Sequence, residues 1–217
     1  LFAHWVADEA ELRALVPSNL ELDLHQGQAW VGVVPFKMHD LGVRSLPGVP
    51  TATNFLELNV RTYVRCNGKP GVYFFTLEAS SQIAVAAART TFFLPYHHAT
   101  MTMARLDTWI VYASERDGSN AAFRGRYRPT GPVFEPATGT LDHFLTERYA
   151  LYTNAPGGVL SHAEIHHPPW QLQPAEAEID TCTIAAACSI TLPDTAPLLH
   201  YVKQQDMVNW ALMPGCP

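Results

Sequence analysis

The stretch ELNVRTYVRCNGKPGVYFFTLEA, residues 57–79, decides the fold class. Two runs rich in β-branched and aromatic residues, Glu57 to Cys66 and Gly71 to Ala79, flank Asn67-Gly68, a dipeptide suited to the positive φ of a tight hairpin turn. The reading is an antiparallel hairpin. Alternation on its first strand puts Leu58, Val60, Thr62 and Val64 on one face and Glu57, Asn59, Arg61, Tyr63 and Arg65 on the other. The first face is core. The second is either an ordinary solvated face or the wall of a polar cavity, where Arg61 offers a planar fork to a carboxylate and Glu57 a carboxyl group for proton transfer.

Working outward toward the N-terminus, Leu41 to Asn54 has no period and many Gly, Pro, Thr and Ser residues, so it reads as a long surface loop. Before it, Leu20, Leu22 and Leu24 alternate with polar residues, Gln26-Gly27 makes a turn and Ala29 to Met38 is strand-like, which reads as a second hairpin. Asp8 and Glu11 have capping-box spacing ahead of Leu12, Leu15 and Val16, giving a short helix that Pro17 stops.

Toward the C-terminus, Ser80 or Ser81 caps a helix that runs to about Phe92 and is closed by Pro95. Strands follow around His98 to Arg105, Trp109 to Ser114 and Phe123 to Arg128, with a turn at Asp117-Gly118. Thr140 to Tyr149 reads as a helix, Val159 to His167 and Ala175 to Ile179 as strands, Cys182 to Cys188 as a short helix, and Leu198 to Trp210 as one or two last strands. Strands outnumber helices about two to one and short turns join them. The fold class is therefore α+β, predominantly β: a curved antiparallel sheet with a few outer helices, forming one domain over residues 1–217. No βαβ rhythm points to a parallel sheet.

Composition narrows the function. The 217 residues are 47% hydrophobic and 16% charged, as in a globular domain with its own core. A net charge of -6 repels a phosphate backbone and sets nucleic acid aside as a partner. No run of ~18 apolar residues spans a bilayer and Leu1 to Asp8 carry no basic segment, so the expected location is cytoplasmic, with no membrane partner. The four cysteines, Cys66, Cys182, Cys188 and Cys216, are irregularly spaced and read as reduced thiols. Dinucleotide, P-loop, nucleophile-elbow and HExxH motifs are absent from the sequence.

Three further patterns carry candidate chemistry. In EIHHPPW the strand places His162, Glu164 and His166 on one face, but His162 and His166 lie ~13 Å apart, too far to share one ion without a bulge. No metal is therefore assigned, and His166, His167 and Trp170 are kept as ligand-binding candidates. Arg124, Arg126 and Arg128 repeat every second residue, and a solvated or acid-paired face explains them better than a phosphate track. Tyr96-His97-His98 after Pro95 pairs a phenol with imidazoles, either as an acid/base set or as packing at a helix end.

Read in order, LRALVP, LEL, the Glu57 hairpin, AVAAAR and a proline six residues later resemble the acetoacetate decarboxylase family. AWVGVVPF, ELNVRTYV, GVYFFTLEA, LPYHHA, YRPTGPVF, LTERYALYT and AEIHHPPWQLQPAEAEI are more similar still to the YqjF-like bacterial family of that superfamily, which brings no established activity. The resemblance implies a curved antiparallel sheet closed into a cone-like barrel around a pocket. It also implies a test, because the decarboxylases place a Schiff-base lysine directly after the motif proline, with a second lysine beside it. Here those positions are Tyr96 and His97. Glu57 falls on the family's pocket glutamate and Arg89 on its helix arginine.

A phenol and an imidazole form no iminium, so Schiff-base decarboxylation does not carry over. The three lysines, Lys37, Lys69 and Lys203, do not restore it, since Lys69 sits in a hairpin turn, Lys203 lies near the far end and Lys37 is remote. The expectation is a barrel pocket for a small organic acid or carbonyl compound. Tyr96, His97 and Glu57 would be its acid/base groups, and Arg61, Asn59, Arg89, His166, His167 and Trp170 its binding groups. No cofactor is called for, a homo-oligomer is compatible with the sequence, and the alternative to an enzyme is a binding module without turnover.

Overall fold

Period-two runs dominate the chain, and the computed structural model, which describes residues 1–39 and 54–217, is accordingly mostly strand. In order come β1 (Phe2–Ala7), α1 (Glu9–Leu15), β2 (Glu21–Leu22), β3 (Ala29–His39), β4 (Asn54–Cys66) and β5 (Lys69–Ala79). Then follow α2 (Gln82–Thr91), β6 (Tyr96–Leu106), β7 (Trp109–Arg116), β8 (Ala122–Pro129), α3 (Leu141–Thr146) and β9 (Ala150–Ala155). The last are β10 (Val159–His166), β11 (Gln173–Cys182), β12 (Leu198–Tyr201), β13 (Val208–Asn209) and β14 (Met213–Pro214). The segment expected as a loop, Leu41 to Asn54, lies outside the described residues except for Asn54, which opens β4.

Local chemistry sets the element ends. Asp8 Oδ1 accepts the Glu11 amide at 2.8 Å and starts α1, and Ser81 Oγ accepts the Ala84 amide and starts α2. Asn67 and Gly68 take φ of 50° and 80°, which turns β4 back into β5.

Nine strands close a ring in the order β5, β6, β7, β8, β11, β12, β1, β3, β4, with β4 paired back to β5. Each contributes apolar side chains to one cluster, including Trp5, Val33, Val60, Tyr112, Phe123 and Tyr127, so the ring interior is a packed core. The expected barrel pocket is corrected accordingly: the Glu57 face of β4 points away from that interior. Strands β9 and β10 extend from β5 beyond the ring, and β13 and β14 pair with β10.

The sheet departs from the expected antiparallel order at two seams. Leu77, Glu78 and Ala79 pair in parallel with Tyr96, His97 and His98, because α2 carries the chain across as a βαβ unit. A second parallel seam joins β5 to β9, and β1 and β9 are strands the sequence reading did not anticipate. The expected hairpin before residue 39 is reduced to one bridge, His25 to Gln28, while β2 pairs instead with β4. In β5, pairing with β4 jumps from Thr76 opposite Val60 to Phe74 opposite Arg61. This bulge places Val72 and Phe74 on the same face as Leu77 despite their opposite parity.

Two surface readings are decided here. Arg124, Arg126 and Arg128 pair with Glu115, Glu178 and Glu176, so the triplet is an acid-paired face. The reading of four reduced thiols is corrected, because Cys66 and Cys216 form a disulfide with Cα atoms 5.6 Å apart. Their separation of 150 residues is why spacing could not reveal it. Among the described residues, no helix is long and apolar enough to cross a membrane.

Candidate functional site

Alternation gives β4 a polar face, and its surroundings make that face unusual. Glu57 and Asn59 are 3% and 4% exposed and Tyr63 is fully buried, so this is no solvated strand face. Its cover comes from the cluster that joins Tyr63 and Trp30 to Leu145, Leu151 and Ile165, outside the ring.

At one end of the face, Tyr96 Oη donates to Glu57 Oε2 at 3.0 Å. Burial raises the Glu57 pKa to about 8, opposed by the Tyr96 hydrogen bond and aided by the nearby Glu78 charge. Burial also holds the Tyr96 phenol well above its usual range, so the phenol keeps its proton. At neutral pH this is a protonated carboxyl held by a neutral phenol.

At the other end, Arg61 is half-buried, with its Cζ 5.1 Å from the Phe2 ring centroid and 5.9 Å from that of Tyr63. It faces no carboxylate within ion-pair distance among the described residues, and its Nε is buried without a partner. Trp170 meets Phe2 edge to face at 5.0 Å, and its indole Nε1 is likewise buried and unpartnered. His167 stacks on Tyr149 with centroids 4.5 Å apart, and its Nε2 lies 3.2 Å from the Arg148 carbonyl, so it ties the Trp170 segment to the end of α3.

The structure separates the remaining candidates from this face. His97 follows Tyr96 and so faces the opposite way. It lines a different cleft, of about 370 Å³, together with Thr76, Arg116 and Cys188. Burial lowers its pKa, with Arg116 and Arg89 adding to the effect. The pairing of Tyr96 with His97 as one acid/base set is therefore corrected. Arg89 is exposed and donates from Nε to the Tyr96 carbonyl at 2.7 Å, so it fixes the backbone there and does not line the face. His166 is exposed against the Trp210 ring.

Glu164, considered as a metal ligand, is ion-paired with Lys69, and no group of three His, Cys, Asp or Glu side chains among the described residues converges on one point.

Several contributors escaped the sequence reading. His4 is fully buried, with Nε2 2.7 Å from Tyr63 Oη, and Phe2 stacks on it. Arg148 bonds Asp23 through Nη1 and lies over the Tyr63 ring at 5.0 Å. His200 Nε2 lies 3.2 Å from Asp142 Oδ1. Only the alternation of Phe2 and His4 with Ala3 and Trp5 in FAHWVA was available as a local signal.

The DUF2071 family model, described as an uncharacterized conserved protein, matches residues 1–206. The uncharacterized protein YqjF of Bacillus subtilis is 50% identical over 213 residues, covering 98% of this chain and 88% of that one. Among solved structures, acetoacetate decarboxylase from Legionella pneumophila superposes with a TM-score of 0.62 at 12% identity, covering 98% of this chain and 84% of that one. The enduracididine biosynthesis enzyme MppR with pyruvate superposes with a TM-score of 0.57 at 12% identity, over 98% and 84% of the two chains. At such identities the likeness establishes the fold alone.

Proposed function

The chain belongs to the DUF2071 family and carries an acetoacetate decarboxylase-like fold, and from that premise we propose that it binds a small carboxylate or carbonyl compound against the covered face of β4. Arg61 anchors the anion, and Glu57 with Tyr96 transfers the proton, without a Schiff-base lysine. The observation that carries the reading is the hydrogen bond at 3.0 Å between the buried Glu57 and the partly buried Tyr96, where β6 begins. A carboxyl with a pKa of about 8 keeps its proton at neutral pH and can give it to a developing oxyanion. Once ionised, it can take a proton from carbon beside a carbonyl, the electron pair moving to the carbonyl oxygen. Solved neighbours named as a decarboxylase and as a pyruvate complex support this class of ligand.

A non-catalytic binding module is the second reading, favoured by one fact: Tyr96 already satisfies Glu57 Oε2 within the protein. Proton NMR in D₂O with pyruvate and acetoacetate separates the two. Faster exchange of the protons beside the carbonyl, lost in Glu57→Gln and Tyr96→Phe, identifies an enzyme. Binding without accelerated exchange identifies a module, and binding of neither compound rejects both. Arg61→Ala is expected to weaken carboxylate binding by about 2 kcal/mol, as for a largely desolvated guanidinium contact.

A further inference from the structure

Several buried polar atoms on the β4 face and on the segments beside and over it are left unpartnered, and they can be sorted by chemistry. Trp30 Nε1, Arg61 Nε, Arg148 Nη2 and Trp170 Nε1 are buried and can only donate. Asn59 Oδ1, also buried, can only accept. His4 Nδ1 and His200 Nδ1 complete the set, and their roles depend on the tautomer.

Neighbouring bonds decide both tautomers. The guanidiniums of Arg61 and Arg148 lie against Tyr63 and offer only donors, so the acceptor within reach of its phenol proton, among the described residues, is His4 Nε2 at 2.7 Å. Burial, helped by Arg61 and His200, keeps His4 neutral, so its proton sits on Nδ1 and that atom donates. His200 is the reverse. Its Nε2 faces the Asp142 carboxylate, which accepts the ring proton, and its Nδ1 is left as an acceptor. The register of β1 puts the two histidines on one face of the sheet, His200 opposite Phe2 and diagonal to His4, with Phe2 stacked on His4.

We infer that the compound bound at this face is a hydroxy acid: its carboxylate is read by Arg61, His4 Nδ1–H and the indole of Trp170, and its hydroxyl donates to His200 Nδ1 or Asn59 Oδ1. A keto acid or a simple carboxylate supplies no donor and leaves both acceptors unpaired, whereas a hydroxyl satisfies one of them. This rests on the carboxylate-binding reading above and narrows it.

The test uses the 217-residue chain and two matched pairs of probes, lactate against propionate and 3-hydroxybutyrate against butyrate. Binding is read from the indole N–H signals of Trp30 and Trp170 in ¹⁵N-labelled protein. In at least one pair the hydroxy acid is expected to bind about tenfold tighter, the scale of leaving one buried acceptor unpaired. Long-range ¹H–¹⁵N spectra of the unliganded protein should show His4 protonated on Nδ1 and His200 on Nε2. Tyr63→Phe should weaken binding and release His4 from its single tautomer. Equal affinity within both pairs overturns the hydroxyl assignment while leaving carboxylate binding intact, and no response to any of the four acids overturns both. The same tautomer on both rings also overturns it, and that measurement on the unsubstituted protein decides the matter even if Tyr63→Phe fails to fold.

Discussion

The Tyr96 phenol hydrogen-bonds the Glu57 carboxyl at 3.0 Å, joining the first residue of β6 to one end of the β4 polar face. The contact is what turns two separate strand positions into one chemical group, because the Glu57 carboxyl is buried and has the partly buried Tyr96 phenol as its hydrogen-bond partner. Position 96 directly follows Pro95, where the sequence resemblance to the acetoacetate decarboxylases would place a reactive lysine. A phenol there can hold a proton and cannot form an imine.

Stability should depend on pH through Glu57. Its folded pKa, about 8, lies above the ordinary 4.5, so its contribution is fully present below pH 4.5 and is lost as pH rises through 8. The full window amounts to about 5 kcal/mol. Urea melts from pH 4 to 9 should show this loss in the wild type and a flatter profile in Glu57→Gln, and parallel profiles would contradict the shift.

Borohydride added with acetoacetate should leave the protein mass unchanged. Lys37 and Lys203 are exposed and Lys69 is ion-paired with Glu164, so none of the three is a desolvated amine poised for imine formation. A reduced adduct on any of them would falsify the lysine-free mechanism.

Gly32 sits opposite both His4 and Arg61 in the sheet, and a Cβ there would lie 2.9 Å from His4 Cδ2. Gly32→Ala should cost about 1–3 kcal/mol by overpacking. In a His4→Ala background the same substitution should cost less, and a double-mutant cycle with no coupling would show that His4 does not press on this position.

The Cys66–Cys216 bond closes a loop of 150 residues, whose chain-entropy contribution reaches about 5 kcal/mol. Non-reducing peptide mapping should recover the linked pair, and reductant should lower the melting temperature of the wild type but not of Cys66→Ala. Recovery of both thiols free from unreduced protein would refute the bond.

Residues 57–79 by themselves determined a hairpin, since strand alternation and the Asn67-Gly68 turn are encoded within a few positions. Helix caps at Asp8 and Ser81 were legible for the same reason. The Glu57 carboxyl and the Arg61 guanidinium were legible as members of one strand face, but not whether water or protein covers it. That was decided by Leu145, Leu151 and Ile165, which pack over the face from positions about 80 to 110 residues further on. His4, Arg148 and His200 joined the site only through strand register and a buried ion pair. Strand alternation separates His97 from Tyr96 once both lie in β6, and it is the pairing with β5 across α2 that puts them there. Local sequence fixes which side chains share a strand face; which face is covered, and by what, depends on contacts between segments that the chain brings together only when it closes.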